Sequence, residues 1–266
     1  MPRIRVSTGI ELYYEESGAG PSLLLLEGVV GSWVWFKNIP ALSRHFRVVA
    51  LDNRGTGLSD KPSGLYTVAE MARETVDVIA ALGLGRTHLV GTSLGGSIVQ
   101  EIALSYPTAA GKLVLIGSTA GDLVQVPTPA ENLAMAAPLP FLSSLANFRR
   151  RMSLVLSDHY IATHPDEFLE IARRAMSADT PNNARLAIGI AGGTWPGLPG
   201  RSTRLWHPAK VLAGSNDRLI PVVNAFILRQ LLPNARLHLF PGSSHLCNIE
   251  QTKRFNELVI RFLLAP

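Results

Sequence analysis

The sequence predicts an α/β protein with a mostly parallel, doubly wound sheet and a helical segment inserted late in the chain. Three observations carry this prediction. Continuous apolar runs of strand length alternate with helical patterns over roughly the first 120 residues. Strand signals then vanish from about residue 122 to 200 and resume afterwards. Glycine-bearing turns follow several of the apolar runs, as they do where a parallel sheet delivers loops to one edge.

"GIELYYEES" alternates apolar and polar residues with period two and reads as an antiparallel edge strand. "SLLLLEG" and "FRVVALD" are continuously apolar, as strands covered on both faces are, and "THLVGTS" and "KLVLIGS" repeat the pattern. Between them lie helices. Thr67 and Glu70 form a capping box, Ile79 and Leu82 continue an apolar stripe, and Gly83 supplies a stop. "LGGSIVQEIALSY" is a second helix, ended by Pro107. After Gly121 comes an apolar, proline-rich stretch, "DLVQVPTPAENLAMAAPLPFLSSLANF", followed by two helical patterns, "HPDEFLEIARRAMSAD" and "NNARLAIGIAGG". "AKVLAG" and "RLHLFPG" return to strands, and "QTKRFNELVIRFLL" closes as a helix. The expected organisation is a core of residues 1–121 and 201–266 with a helical cap of residues 122–200.

Composition excludes several classes. At 266 residues, 47% hydrophobic and 17% charged, the chain can bury a large core and is not disordered. A net charge of +5 raises the question of nucleic acid, but no basic run exceeds Arg149–Arg151, so nucleic-acid binding is not expected. A single cysteine, Cys247, excludes an intramolecular disulfide, and a buried thiol is its expected role. No apolar run reaches the roughly 18 residues of a membrane span, and "MPRIRVSTGIELYYEE" lacks a signal-peptide core; the reading is a soluble cytoplasmic protein. Nothing in the sequence indicates an oligomeric state.

The chemistry centres on "LVGTSLGGS". Gly91-Thr92-Ser93-Leu94-Gly95 is G-x-S-x-G between a strand and a helix, the pattern of a nucleophile elbow. The turn is tight enough that the residues two before and two after must be small, and it lifts the Ser93 hydroxyl over the positive end of the next helix. A serine nucleophile needs a base, and the base needs an orienting acid. Asp217 in "LAGSNDRLIP" and His245 in "LFPGSSHLCN" follow late strands, at the same sheet edge as Ser93. Asp122, after "KLVLIGSTAG", is the rival acid. His238 lies within a strand, and His159, His164 and His207 lie in or near the cap, so structural roles are expected of them. No spacing suggests a metal site. An oxyanion hole requires two donors: the N–H of Leu94, next after the nucleophile, and one from "EGVVGSW", where Val29 is the candidate and Gly28 permits the turn.

These residues carry a resemblance. "LLLLEGVVGSWVWF", "VVALDNRGTGLSDKP", "GTSLGGS", "VLAGSNDRLIP" and "GSSHL" together resemble the alpha/beta-hydrolase fold superfamily along nearly the whole chain. The resemblance implies a Ser93–Asp217–His245 triad, Val29 and Leu94 as oxyanion donors, and a cap shaping an acyl pocket. It disfavours dehalogenase and epoxide hydrolase chemistry, which use Asp at the nucleophile position. "KLVLIGSTAGDLVQVP" and "VLAGSNDRLIPVVNAFILRQLLPNARLHLF" also look like intracellular depolymerases of medium-chain polyhydroxyalkanoates. The implied activity is hydrolysis of carboxylic esters of small molecules with apolar acyl groups, without a cofactor; polyester or lactone hydrolysis is the near alternative. A cofactor-free lyase or oxygenase, or a small-molecule receptor, is the alternative of another class. Glu27, Gly28, Trp33 and Trp195 are expected near the substrate, with core packing the competing role for each tryptophan, Trp35 and Trp206 included.

Glu27 departs from the superfamily, which commonly has His there. A carboxylate about 6 Å from the oxyanion, at an effective dielectric constant of about 20, would oppose it by about 3 kcal/mol, roughly a hundredfold in rate. Alternation puts Glu27 on the strand face of Leu23 and Leu25, away from Leu24, Leu26 and Gly28. Its expected roles are therefore to accept loop N–H groups or to pair with a cation such as Arg54; acting as a proton donor or acceptor in the site is the alternative.

Overall fold

The computed structural model describes residues 2–132, 144–178 and 180–266. Eight strands form one sheet in the order β1-β2-β4-β3-β5-β6-β7-β8. They are β1 (Arg3–Arg5), β2 (Glu11–Ser17), β3 (Ser22–Glu27), β4 (Arg47–Leu51), β5 (Thr87–Thr92), β6 (Ala110–Ile116), β7 (Ala209–Gly214) and β8 (Ala235–Phe240). β2 runs antiparallel to β1 and β4, and all later pairings are parallel. β2 is thus antiparallel, as the alternation predicts, but it is not the edge. β1 covers it, and three residues are too short to show a period.

The helices are α1 (Ile39–Leu42), α2 (Val68–Ala81), α3 (Leu94–Ser105), α4 (Ser144–Met152), α5 (Asp158–Thr163), α6 (Pro165–Ser177), α7 (Asn182–Gly193), α8 (Val223–Leu231), α9 (Cys247–Glu250) and α10 (Thr252–Leu264). The capping box predicted for α2 is present: Thr67 Oγ1 accepts the Glu70 N–H at 3.1 Å. Alternation along β3 sorts the core into two layers. Leu24 and Leu26 pack with α2 and α3, whereas Leu23 and Leu25 pack with Trp35, Phe255 and Val259 of the other layer. Burying an aliphatic side chain of this size stabilises by about 1.5–3 kcal/mol, so a one-residue slip of β3 would exchange two such sets.

Among the described residues, 122–200 hold helices α4–α7 and no strand. The centre of the proline-rich stretch, residues 133–143, lies outside the described residues. Phe148, Met152, Tyr160, Phe168 and Ile171 make a third apolar cluster that seats on Leu246 and Ile249. α7 instead packs Ala187, Ile188 and Ala191 into the layer of α3. No helix among the described residues is long and apolar enough to cross a membrane.

Candidate active site

Ser93 stands between β5 and α3 at φ +55°, the only non-glycine residue with positive φ among those described. That strain costs of order 1–3 kcal/mol and persists only where the surroundings impose it. Here they do. Ser93 N–H donates to Ile116 O at 2.8 Å, and Ser118 Oγ donates to Ser93 O at 2.7 Å. The small neighbours are obligatory. A Cβ on Gly91 would lie 2.3 Å from Gly95 O, and one on Gly95 would lie 2.4 Å from Leu26 O.

His245 and Asp217 reach the same sheet edge from the loops after β8 and β7. His245 Nδ1 and Asp217 Oδ2 are 2.8 Å apart, both side chains buried. Asp217 Oδ1 accepts the N–H groups of Leu219 and Ile220 at 2.9 and 2.8 Å, which fixes the carboxylate plane. The His245 ring lies against Gly117, at the end of the strand whose Ile116 holds Ser93. Asp217 and His245 are thus joined directly, and Ser93 stands at the same sheet edge, with no hydrogen bond between its hydroxyl and His245 among the described residues. Asp122, the rival, is exposed; its side chain accepts from Gln125, and the His245 Nδ1 partner is Asp217. Burial alone would push the His245 imidazole down, but the charge and hydrogen bond of Asp217, with the charge of Glu27, carry it above its ordinary value.

The turn after β3 is organised by Glu27. Its Oε2 accepts Val29 N–H at 2.7 Å, Val30 N–H at 2.5 Å and Gly31 N–H at 3.1 Å. Asn53 Nδ2 donates to the Glu27 carbonyl. Of the two partners expected for Glu27, the loop amides are its own, whereas Arg54 is engaged by Glu74 and Glu70 of α2. Burial pushes the Glu27 carboxyl up; the bonds from Val30, Val29 and Gly31 and the charge of His245 pull it down, and burial prevails.

This arrangement corrects one expectation. Val29 N–H, the predicted second oxyanion donor, is directed to Glu27 and is not free. Among the described residues, Leu94 N–H has no partner at the start of α3, and Gly28 lets α3 approach: a Cβ there would meet Leu94 Cβ at 2.2 Å. The expected pocket residues divide. Trp33 lines a cavity of about 240 Å³ with Val30, Gly31, Phe36 and Arg174, a cavity whose wall includes none of Ser93, Leu94, Asp217 and His245. Trp195 is core: 4% exposed, its Nε1 donates to Glu101 at 2.9 Å, and Arg201 pairs with the same carboxylate. Trp35 is fully buried, and Trp206 is an exposed ring stacked on His207. Cys247 is buried, and burial pushes its thiol far up.

Sequence reasoning missed a set of ties between residues 153–158 and the loops that carry Asp217 and His245. Leu246 N–H donates to Val155 O at 2.8 Å, and Ser244 Oγ donates to Leu154 O at 3.3 Å. Glu250 accepts Ser244 N–H at 2.9 Å and the backbone and hydroxyl of Ser157 at 3.1 and 2.5 Å. Arg218, next to Asp217, donates to Ser153 O and pairs with Asp158. No local pattern signals these contacts, because Ser157 and Glu250 are 93 positions apart.

A strained serine elbow, a buried Asp–His pair and a mostly parallel eight-stranded sheet define a class, and the chain belongs to the alpha/beta hydrolase fold family, which it matches over residues 21–252. It is 30% identical to a 2-hydroxy-6-oxononadienedioate/2-hydroxy-6-oxononatrienedioate hydrolase of Burkholderia vietnamiensis, over 96% of this chain and 92% of that protein. It is 29% identical to a 2-hydroxy-6-oxo-2,4-heptadienoate hydrolase of Pseudomonas putida, over 99% of this chain and 96% of that one. In structure it is similar to an enol-lactonase from Burkholderia xenovorans, with a TM-score of 0.86 at 23% identity over 99% of this chain and all of that one. That last likeness bears on the fold alone.

Proposed function

We propose that the chain is a serine hydrolase that cleaves a carboxylic ester or lactone through an acyl-enzyme on Ser93. The observation that carries this reading is the buried 2.8 Å contact of His245 Nδ1 with Asp217 at the sheet edge where Ser93 is held in a strained turn. His245 removes the Ser93 proton as the hydroxyl attacks the carbonyl, returns it to the leaving oxygen, and then activates water for deacylation. Asp217 fixes the tautomer that leaves Nε2 free to accept. Residues 122–200 act as a cap over the acyl group and residues 1–121 and 201–266 as the core.

The charge of Glu27 acts in two directions. Acylation creates an imidazolium on His245 and an oxyanion on the substrate together. A fixed carboxylate coupled to His245 favours the first and opposes the second. With Val29 N–H held by Glu27, stabilisation of the oxyanion rests on Leu94 N–H and the positive end of α3.

A second reading has support in the two named relatives, hydrolases named for 2-hydroxy-6-oxo-dienoate substrates. On that reading the same residues break a carbon–carbon bond. The test is labelling of Ser93 by a fluorophosphonate probe, with turnover of 4-nitrophenyl esters from acetate to decanoate measured beside a 2-hydroxy-6-oxo-dienoate. Labelling with ester turnover is expected. Efficient cleavage of the dienoate with negligible ester turnover would replace the ester reading by the carbon–carbon one.

A further inference from the structure

The N-terminal edge of the sheet, opposite Ser93, carries a charge arrangement that the proposed chemistry does not use. Lys112, Lys210 and Arg236 lie near the starts of β6, β7 and β8. Val114 is in register with Lys210, and Lys210 with Arg236. Because side chains alternate with period two, Lys112, two residues before Val114, shares the face of the other two. Three cations thus sit on one face of three adjacent parallel strands. Like charges opposed across strands are destabilising.

Helices extend the row into a groove. Arg229 near the end of α8 and Arg261 near the end of α10 complete the lining of a cavity of about 720 Å³, with no Asp or Glu side chain in its wall. Among the described residues, none of the five cations forms an ion pair with a carboxylate. Lys112 Nζ donates to the carbonyls of Phe262, Leu263 and Ala265, which places it but leaves its charge unneutralised. Lys210 and Lys112 also stand over the Phe262 ring at 5.5 and 5.7 Å. Burial, then Arg236 and Arg261, push the Lys210 amine down, which expresses the same crowding.

We propose that this groove binds a small polyanion, a chain of two or three phosphates, free or carried on an organic group. Five cations converging on a concave site match several anionic oxygens at once, and guanidinium groups bind phosphate in forked, charge-assisted pairs. The volume is that of a small-ligand site. A single anion would leave most of the row unneutralised. The apolar wall at Phe262 offers a surface for an attached ring. The site is separate from the proposed ester chemistry and does not depend on it.

Isothermal titration calorimetry on the full chain at low salt, with inorganic tripolyphosphate and with a nucleoside triphosphate, tests this. One-to-one binding that weakens as salt is raised is expected for both. Tighter binding of the nucleotide would identify an organic phosphate held through Phe262; equal affinity would identify the phosphate chain alone. The double variant Lys210→Met, Arg236→Gln should weaken binding by at least about tenfold, the scale of losing charge-assisted hydrogen bonds. Its 4-nitrophenyl ester turnover should stay within about twofold of wild type, since distant surface changes have small effects. Absence of binding of either phosphate at low salt would overturn the proposal, as would full affinity in the double variant. So would an oligonucleotide that displaces tripolyphosphate with an affinity that grows with its length.

Discussion

The turn after β5 and the turn after β3 are neighbours: Glu27 pairs in register with Thr92, immediately before Ser93. They reach rigidity by different means. The serine turn is held by backbone. Its φ is strained, its amide is engaged by Ile116 of β6 and its carbonyl by Ser118 just beyond, and its glycines leave no room for a side chain. The other turn is held by one side chain, the Glu27 carboxylate, which gathers three successive N–H groups. The first kind of turn is specified by which residues are small. The second depends on one side-chain oxygen being present, and its carboxyl also couples the turn electrostatically to His245.

Four substitutions, with Asp122→Asn as a control, probe that contrast, from the largest expected effect to the smallest. Ser93→Ala should reduce ester turnover by at least about ten-thousandfold, as loss of a nucleophile does, with an unchanged circular dichroism spectrum. A variant that keeps a tenth of the wild-type rate would remove Ser93 from the chemistry. Asp217→Asn should cost about a thousand- to ten-thousandfold by allowing the wrong His245 tautomer, while Asp122→Asn should change the rate by no more than about twofold. The reverse ranking in steady-state kinetics would reassign the acid.

Glu27→Ala should release Val29, Val30 and Gly31 together. A slower acylation by about ten- to a hundredfold, with a stability loss of about 1–3 kcal/mol in urea unfolding, is expected. A variant as stable and as active as wild type would show that the turn holds itself. Glu27→Gln keeps an acceptor oxygen and should leave turnover within about fivefold. Its effect should appear in the pH profile. The Glu27 charge raises the His245 pKa, and the base works only when neutral, so activity falls as pH drops through that pKa. Removing the charge lowers it, and the acid limb of the kcat/KM profile should move to lower pH. A limb that moves upward, or a loss above about a hundredfold with normal thermal stability, would make Glu27 a proton-transfer group instead.

What the sequence disclosed follows the same contrast. The elbow, Asp217 and His245 were legible because their requirements are written in residue types at short spacing after apolar runs. Acceptance of loop amides by Glu27 was legible too, since those N–H groups lie two to four residues away. Its non-pairing with Arg54 was not, because that depends on α2 turning Glu70 and Glu74 inward. Loss of Val29 as a free donor follows from the same carboxylate, and only coordinates show which way an amide points. The scattered cations gave no hint of a groove, because Lys112, Lys210 and Arg261 meet through the sheet and not along the chain.

The ties from residues 153–158 bear on whether the insertion can be removed. The sequence places Ser93, Asp217 and His245 outside the inserted helices, which invites treating the insertion as removable. Yet the segment that delivers His245 takes its backbone and hydroxyl partners from Leu154, Val155 and, through Glu250, Ser157. The turn at Ser93 takes its partners from Ile116 and Ser118, in the core. The insertion therefore seats one loop and not the other: excising it strips partners from the His245 segment and leaves those of Ser93 in place.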